Sequence, residues 1–274
     1  MRNIICVLLL FIFLPQLSGQ SFSGNHAAAL AFSGTDICYP VAWYGYNNPS
    51  LLARGEGASI GYSYYNRYLI PALGSHSVYG TFPFLGNWGY SVNYLGTKAF
   101  NESSFTVSYG RTIFRWLDAG ITMRSHRMAV EAIAEESYTI AGDIGISIKP
   151  VESLSAGFHW TNPNRSGYGN SGQDYLPAEL NMGIAWTEKE IFYLGTQLHW
   201  IDYSDFCLSV GTEYWIIQSL ALRAGLKAGA ITGYSYGLEY AFKKLTVSLG
   251  FEQHTCLGMS SAVSLHYKFY GHEK

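Results

Sequence analysis

Charged side chains are scarce in this sequence, and only its N-terminus carries a long apolar run. Lys, Arg, Asp and Glu make up 13% of the 274 residues, against about 25% in typical soluble domains. The formal net charge of −2 leaves no broad basic surface for nucleic acid. Since no internal run is long enough for a spanning helix, a membrane location would require a closed β-barrel, in which every backbone amide is paired.

Complete catalytic and metal-binding motif sets are also absent. The sequence contains no His-Glu-x-x-His, Cys-x-x-Cys or P-loop pattern. Ser125 and His126 are neighbours in sequence, but adjacency alone does not make a nucleophile–base pair. His159 and His199 could form a metal pair, yet no third ligand is evident. We therefore predict a protein that is not an enzyme and that has no cofactor and no bound metal.

Cysteine is rare as well. Outside the N-terminal apolar run the chain has Cys38, Cys207 and Cys256. An odd and widely spaced set is neither a disulfide framework nor a zinc signature. One pair could form in an oxidising compartment, and the sequence does not say which.

The first residues predict a signal peptide. Arg2 precedes an unbroken apolar run from Ile4 to Leu14, and Pro15 follows it. An uncleaved anchor would need about 20 apolar residues, whereas a run this short fits the apolar region of an export signal. We predict that residues 1–19 are removed by cleavage after Gly19.

What the rest of the chain does contain is alternation with a period of two. In residues 138–149 the apolar members, such as Ile140 and Ile144, alternate with small or polar ones, such as Asp143. This pattern predicts a strand with one apolar and one polar face. About 14 such segments fill residues 56–274, each close to the roughly 9–11 residues that a tilted barrel strand needs. A soluble β-sandwich or barrel would carry many more charges on its polar faces. We predict an all-β fold, a closed antiparallel transmembrane β-barrel of about 14 strands.

The connections predict an orientation. Residues 150–152, 188–189 and 243–244 read as short turns, whereas residues 125–137 and 162–177 read as long loops. Short periplasmic turns and longer outer loops are typical of outer-membrane barrels. The prediction is an outer-membrane protein of a Gram-negative bacterium with both termini in the periplasm. The loop 162–177 is either a solvated cap or a recognition surface that carries Tyr168 and Tyr175.

Tryptophans are predicted at strand ends, where they would form the aromatic girdles of a membrane barrel or, alternatively, pack in a soluble core. They are Trp43, Trp88, Trp116, Trp160, Trp186, Trp200 and Trp215.

The polar faces of the strands carry charges of both signs, which we expect to face the lumen. They form either a hydrated, internally salt-paired lumen or a selectivity lining for a polar solute. The predicted lumen-facing residues are Asp118, Arg124, Asp143, Lys149, His159, Gln197, His199, Glu213, Arg223, Lys227, Glu239 and Lys243.

Residues 20–55 do not alternate, and we predict that they form a plug in the barrel mouth. An Ala-rich piece that includes Ala28, Ala29 and Leu30 has the length of one or two helical turns. Asn48 stands before Pro49, which biases it away from helix and predicts a turn.

This segment resembles the N-terminal region of the FadL-like outer-membrane barrels. In that family an Ala-Ala-x-Leu-Gly-Gly-Ala stretch precedes Asp and then Asn-Pro-Ala-x-Leu. The counterparts here are Ala28-Ala29-Leu30-Ala31, Asp36 and Asn48-Pro49-Ser50-Leu51-Leu52. Ala31-Phe32 replaces the usual glycine pair, and one Asp stands where two are usual. The spacing looks closest to the PorV and PorQ group of Bacteroidota. The resemblance implies a 14-stranded barrel with an N-terminal plug.

Two functions follow from the resemblance. PorV-like barrels serve the type IX secretion system, so the chain would contact secretion-system subunits or the signal domains of exported cargo. FadL-like barrels pass hydrophobic small molecules through a plugged lumen, so the alternative is a passive channel for hydrophobic or other small solutes. Because the predicted lumen is small-residue and polar, the sequence favours the secretion component. In either case the partner that the fold itself requires is outer-membrane lipid.

Overall fold

The protein is a closed barrel of 14 antiparallel strands in which β1 pairs with β14. The computed structural model describes residues 26–39, 47–55, 57–131, 135–168, 176–189, 191–202 and 206–269. The predicted signal peptide lies outside them. The strands are β1 Ser59–Asn66, β2 Gly74–Pro83, β3 Asn87–Gly96, β4 Phe100–Phe114, β5 Leu117–Val130, β6 Glu135–Val151, β7 Leu154–Thr161, β8 Glu179–Glu188, β9 Phe192–Ile201, β10 Cys207–Ile217, β11 Leu220–Gly229, β12 Gly233–Phe242, β13 Leu245–His254 and β14 Gly258–Lys268.

Helix is confined to short pieces. Before the barrel come the α-helix α1, Ala27–Ala31, and a 3-10 helix, Pro49–Arg54, and two 3-10 turns, Arg67–Leu69 and Pro71–Leu73, join β1 to β2. No helix in the described part of the chain has the length and apolar character to span a membrane.

The alternation places apolar side chains on the outer face of the barrel and small or polar ones on the inner face, as predicted. In β6 Ile140 and Ile144 are exposed on the outer surface, while Asp143 is 2% exposed inside the barrel. Other strands repeat this contrast, so that Leu226 of β11 is 63% exposed and its neighbour on the opposite face, Gly225, lies against the plug. An outer surface of exposed apolar side chains requires lipid around it. The predicted fold class, a transmembrane barrel of 14 strands with a plug, is confirmed.

We call the end where β1 begins and β14 ends the terminal end, and the opposite end the far end. All the predicted short turns lie at the terminal end, because β6–β7, β8–β9 and β12–β13 connect there. The predicted loop 162–177 joins β7 to β8 at the far end, although residues 169–175, including Tyr175, lie outside the described residues.

The predicted loop 125–137 is wrong. β5 continues to Val130 and β6 begins at Glu135, and the two strands pair along this whole stretch. The polar composition that suggests a loop instead supplies a cross-strand ion pair, with Arg127 Nη2 2.6 Å from Glu136 Oε1. Glu136 faces Ala129, two positions along β5 from Arg127. Opposite charges at such diagonal positions are within reach of each other and stabilise the strands where they extend past their apolar band.

Most of the tryptophans take the predicted outward positions. Trp88, Trp160, Trp186 and Trp200 lie on the outward register of their strands, and Trp116 lies exposed in the β4–β5 turn. Trp43 is outside the described residues. Trp215 differs from the prediction, because it faces inward.

Trp215 shares the inward register of β10, and its Nε1 donates a hydrogen bond of 2.9 Å to Glu213 Oε1. The pairing of β10 with β11 is regular through Trp215, and the register shifts only between Trp215 and Ile217. Trp215 therefore follows the inward alternation of its strand, although it lies near the strand end.

Candidate functional site in the plugged lumen

The two described plug segments, residues 26–39 and 47–55, lie inside the barrel. All five residues of α1 are buried, and the helix packs on β12, β13 and β14. His26 caps it, because its Nδ1 accepts a hydrogen bond of 3.3 Å from the Ala28 amide. The 3-10 helix Pro49–Arg54 packs on β4, β5 and β6. The plug therefore contacts opposite sides of the barrel wall.

The plug-motif residues lie where the two segments meet. The Asn47 side chain donates a hydrogen bond to the Asp36 carboxylate, and Asn48 Nδ2 donates one of 2.9 Å to the Ile37 carbonyl. Asn48 Oδ1 accepts a hydrogen bond from the amide of Ser50, in the first turn of the 3-10 helix Pro49–Arg54. Asn48 is extended, as a residue before proline prefers, but a helix rather than a simple turn follows.

Ala28, Ala29 and Leu30 form the middle of α1. The predicted plug motif is thus a set of residues that shapes each segment and ties one to the other. The domain boundaries around it, 20–55 and 56–274, stay predictions.

A belt of inward-facing glycines seats the plug. Ten strands each place one glycine against it, so that backbone or side-chain atoms of the plug lie where a larger residue would have its side chain. A Cβ on Gly110 would come within 2.5 Å of the Pro49 carbonyl oxygen, and one on Gly225 within 2.6 Å of the Phe32 carbonyl carbon. The members of this glycine belt are Gly89, Gly110, Gly120, Gly145, Gly157, Gly183, Gly211, Gly225, Gly237 and Gly250.

Sequence reasoning missed this belt, because it took glycine only as a small residue of the polar face. The available signal was register. Gly110, Gly120 and Gly145 are direct cross-strand partners, so inward glycines recur at one height of the barrel. A strand interior seldom carries glycine unless another backbone approaches closely.

A buried charge cluster around Arg223 joins the plug to the wall. Arg223 Nη2 lies 2.7 Å from Glu213 Oε2 and 2.8 Å from Glu239 Oε2, and all three side chains are almost fully buried. Tyr39 of the plug donates a hydrogen bond of 2.8 Å to Glu213. The Arg223 guanidinium also lies 4.9 Å from the ring centroid of Phe32. One arginine therefore forms ion pairs with two glutamates and contacts the plug.

Three aromatic rings pack beside this cluster. Phe32 and Tyr39 of the plug contact Tyr193 of β9, with ring centroids 5.0 to 5.4 Å apart. The Tyr193 hydroxyl donates a hydrogen bond of 2.6 Å to the Thr35 carbonyl. The centre of the plugged lumen is therefore aromatic, although the wall around it is polar.

Other predicted lumen residues form separate ion pairs. Arg124 lies 2.7 Å from Asp143, which His159 approaches at 3.9 Å. The rest of the pairs are Arg54–Asp118 at 2.6 Å, Lys227–Glu252 at 2.7 Å and His199–Glu179 at 3.4 Å. Nine of the predicted lumen residues take part in these pairs or in the Arg223 cluster, and all nine face the lumen. They form separate ion-paired groups rather than one continuous lining.

Three further predictions concern Lys149, Gln197 and Lys243. Lys149 is on the inward register of β6, and Gln197 Oε1 accepts a hydrogen bond of 3.2 Å from the Ile37 amide of the plug. Lys243 does not face the lumen, which corrects the prediction. It occupies the β12–β13 turn with a φ of 52°, because the strand ends at Phe242, one residue before it.

Neither a metal site nor a disulfide was found among the described residues. His159 and His199 each face a different carboxylate, and no group of three metal-ligating side chains occurs in the described ranges. Cys38, Cys207 and Cys256 are free thiols. Burial raises the pKa of Cys38 in the plug to about 12, so its thiol stays protonated at neutral pH.

Asp36→Asn is expected to stabilise the protein more at pH 8 than at pH 4. Burial raises the pKa of Asp36 above its usual value of 3.8, so the folded state binds its proton more tightly than the unfolded state. Stability from this group is present at low pH and is lost as the pH rises through the folded pKa. Asparagine does not titrate.

The measurement is the melting temperature of wild type and Asp36→Asn in detergent across this pH range. An equal difference between the two proteins at both pH values would contradict the prediction.

Comparison with known proteins supports the fold. No protein-family model and no curated protein sequence matches the chain. Among solved structures, it resembles the toluene transporter TbuX of Ralstonia pickettii, with 10% identity, 91% of this chain and 100% of that chain covered, and a TM-score of 0.66.

The toluene transporter TodX of Pseudomonas putida gives 11% identity, 90% and 97% coverage and a TM-score of 0.65. A FadL homologue of Pseudomonas aeruginosa has 11% identity, with 92% of this chain and 100% of that chain covered and a TM-score of 0.67. None of these neighbours tests the finer likeness to the PorV and PorQ group. They show that the chain has the fold of the FadL-type outer-membrane barrels.

Proposed function

We propose that this protein is a channel of the bacterial outer membrane that passes small uncharged molecules when its plug moves. The observation that carries the proposal is the plug itself. The strands close the barrel by pairing with one another, whereas the plug is held by side-chain contacts and by shape against the glycine belt. Such contacts can break without opening the barrel wall. The function needs no covalent chemistry.

The charges of the lumen favour an uncharged solute. Arg54, Arg124, Arg223 and Lys227 each lie within 3 Å of a carboxylate. A charged solute would have to displace one of these partners and leave the other unpaired, which is costly in a buried setting. An uncharged molecule meets no such competition.

Aromatic molecules are the first solutes to test. The rings of Phe32, Tyr39 and Tyr193 form an aromatic centre that a planar apolar molecule would match. Two of the solved neighbours are titled toluene transporters. This makes the channel function, which the sequence ranked second, the better supported of the two.

Toluene and benzoate separate the proposal from non-specific leakage, because they share a ring and differ by a carboxylate. Cells of a bacterial host that express the protein are expected to take up radiolabelled toluene faster than cells with an empty vector. Benzoate entry is expected to stay at the vector level. No gain for toluene, or an equal gain for benzoate, would overturn the proposal.

A second candidate function is a docking component of a type IX secretion system, as the PorV and PorQ resemblance implies. One observation favours it. The far-end connections expose apolar side chains, with Leu69, Phe206 and Leu257 each about half exposed, on the side where exported cargo would arrive. A pull-down from native membranes that recovers neither secretion subunits nor cargo signal domains would remove this candidate.

A further inference from the structure

Three lysines form a group on the rim at the terminal end of the barrel. Lys243 and Lys244 make the β12–β13 turn, and Lys268 ends β14 on its inward register, at the barrel mouth. All three are exposed. The Lys268 amide donates a hydrogen bond of 2.9 Å to the Lys244 carbonyl, which fixes these residues side by side. We call Lys243, Lys244 and Lys268 the lysine patch.

The lysine patch has no acidic partner in the described part of the chain. None of the three ammonium groups takes part in an ion pair there. The acidic residues of β12 and β13, Glu239 and Glu252, face the lumen and bind Arg223 and Lys227. Among the described residues, positive charge is therefore concentrated on this rim without an acidic partner.

An apolar outer surface continues directly from the lysine patch. Phe242, Tyr267 and Phe269 are 58%, 41% and 48% exposed at the same end of β12 and β14. The Lys243 Nζ lies 5.7 Å from the centroid of the Phe242 ring, and Lys244 Nζ donates a hydrogen bond of 3.2 Å to the Phe269 carbonyl. The ammonium groups of Lys243 and Lys244 thus lie at the boundary between the membrane-facing wall and water.

We propose that the lysine patch binds the phosphate of an anionic phospholipid, with the lipid tails on the outer face of β12 to β14. The ligand must carry negative charge beside a long apolar part, because the lysines and the exposed aromatic rings form one surface. A soluble anion or an acidic peptide meets only the first condition. Lysines near an anionic leaflet bind its headgroups electrostatically, and aromatic rings take the interfacial level beside them. This inference does not depend on the channel proposal.

The test is native mass spectrometry of the full-length mature barrel in detergent, titrated with phosphatidylglycerol or phosphatidylcholine. Each lysine near the headgroups contributes roughly fivefold in affinity. K244Q/K268Q is therefore expected to bind phosphatidylglycerol on the order of twentyfold more weakly, with phosphatidylcholine binding unchanged. K244R/K268R, which keeps the charge, is expected to bind as wild type does.

The matched control is K98Q/K189Q, which also removes two exposed lysine charges, from other connections. It is expected to bind phosphatidylglycerol like wild type. A heat-shift gel checks that each barrel is folded. The proposal is overturned if K244Q/K268Q binds phosphatidylglycerol normally, if the control loses as much affinity, or if wild type does not prefer phosphatidylglycerol to phosphatidylcholine.

Discussion

Arg223→Met is expected to lower the free energy of unfolding by about 3–5 kcal/mol, the usual cost of removing one member of a buried ion pair. Arg223 is the counter-ion of both Glu213 and Glu239, and the three side chains are at most 7% exposed. Without it, two carboxylates stay buried on β10 and β12, the strands on either side of β11, and repel each other. The measurement is guanidinium unfolding of the folded barrel in detergent, followed by the heat-shift gel.

A triple variant separates charge from packing. R223M/E213Q/E239Q removes the arginine and both negative charges together, and neutral replacements of buried ion clusters are often tolerated. We expect it to recover most of the stability that Arg223→Met loses. If the triple variant is as unstable as the single one, the Arg223 side chain contributes by packing on Phe32 and Tyr39, and the electrostatic account is wrong.

The strands could be predicted from the sequence because the pattern that forms them is local. In β6 one small or polar residue separates Ile144 from Ile146 and Ile146 from Ile148, and the contrast between lipid outside and a plugged lumen inside favours that alternation. The same argument gives the inward direction of Arg124, Asp143 and Glu213. It also gives the inward direction of Trp215, so the girdle prediction for that residue was wrong because it relied on position near a strand end.

The partners of the inward residues could not be predicted. Glu213 and Glu239 meet at Arg223 through pairing of β10, β11 and β12, and the sequence does not give that register. The loop 125–137 failed for a related reason, since an ion pair across two strands looks like a polar loop when each strand is read alone. Tertiary pairing decides both cases.

The plug was predicted from a short motif, but its seat was not. Asp36 and Asn48 were identified by resemblance, and in the structure their hydrogen bonds join the two plug segments. The glycine belt lies on ten different strands. Each glycine is unremarkable by itself, and the belt exists only when the register of the closed barrel aligns them.

The glycine belt gives the second large expected effect. In G110A/G225A, one new methyl group meets each plug segment, at the carbonyls of Pro49 and Phe32. Overpacking of this kind typically costs 1–3 kcal/mol per site, and the plug can relieve it by leaving the lumen, whereas the strand pairs cannot. We expect the plug to open at least tenfold more often, with the barrel still folded.

Cys38 makes the opening measurable. Its thiol is buried in the plug and donates to the Gly183 carbonyl, so in a C207S/C256S background a maleimide reports exposure of the plug alone. The matched control is Gly142→Ala, since a Cβ at Gly142 meets nothing nearer than 3.7 Å. Faster labelling of G110A/G225A but not of Gly142→Ala is expected.

Toluene entry links this measurement to function. If the plug gates the channel, G110A/G225A should raise toluene uptake in step with Cys38 labelling. Labelling at the wild-type rate would mean that the glycine belt does not hold the plug. Faster labelling with unchanged toluene uptake would mean that the belt seats the plug but that the plug is not the barrier to entry. The labelling result therefore tests whether the glycine belt holds the plug, and the uptake result tests whether the plug controls entry.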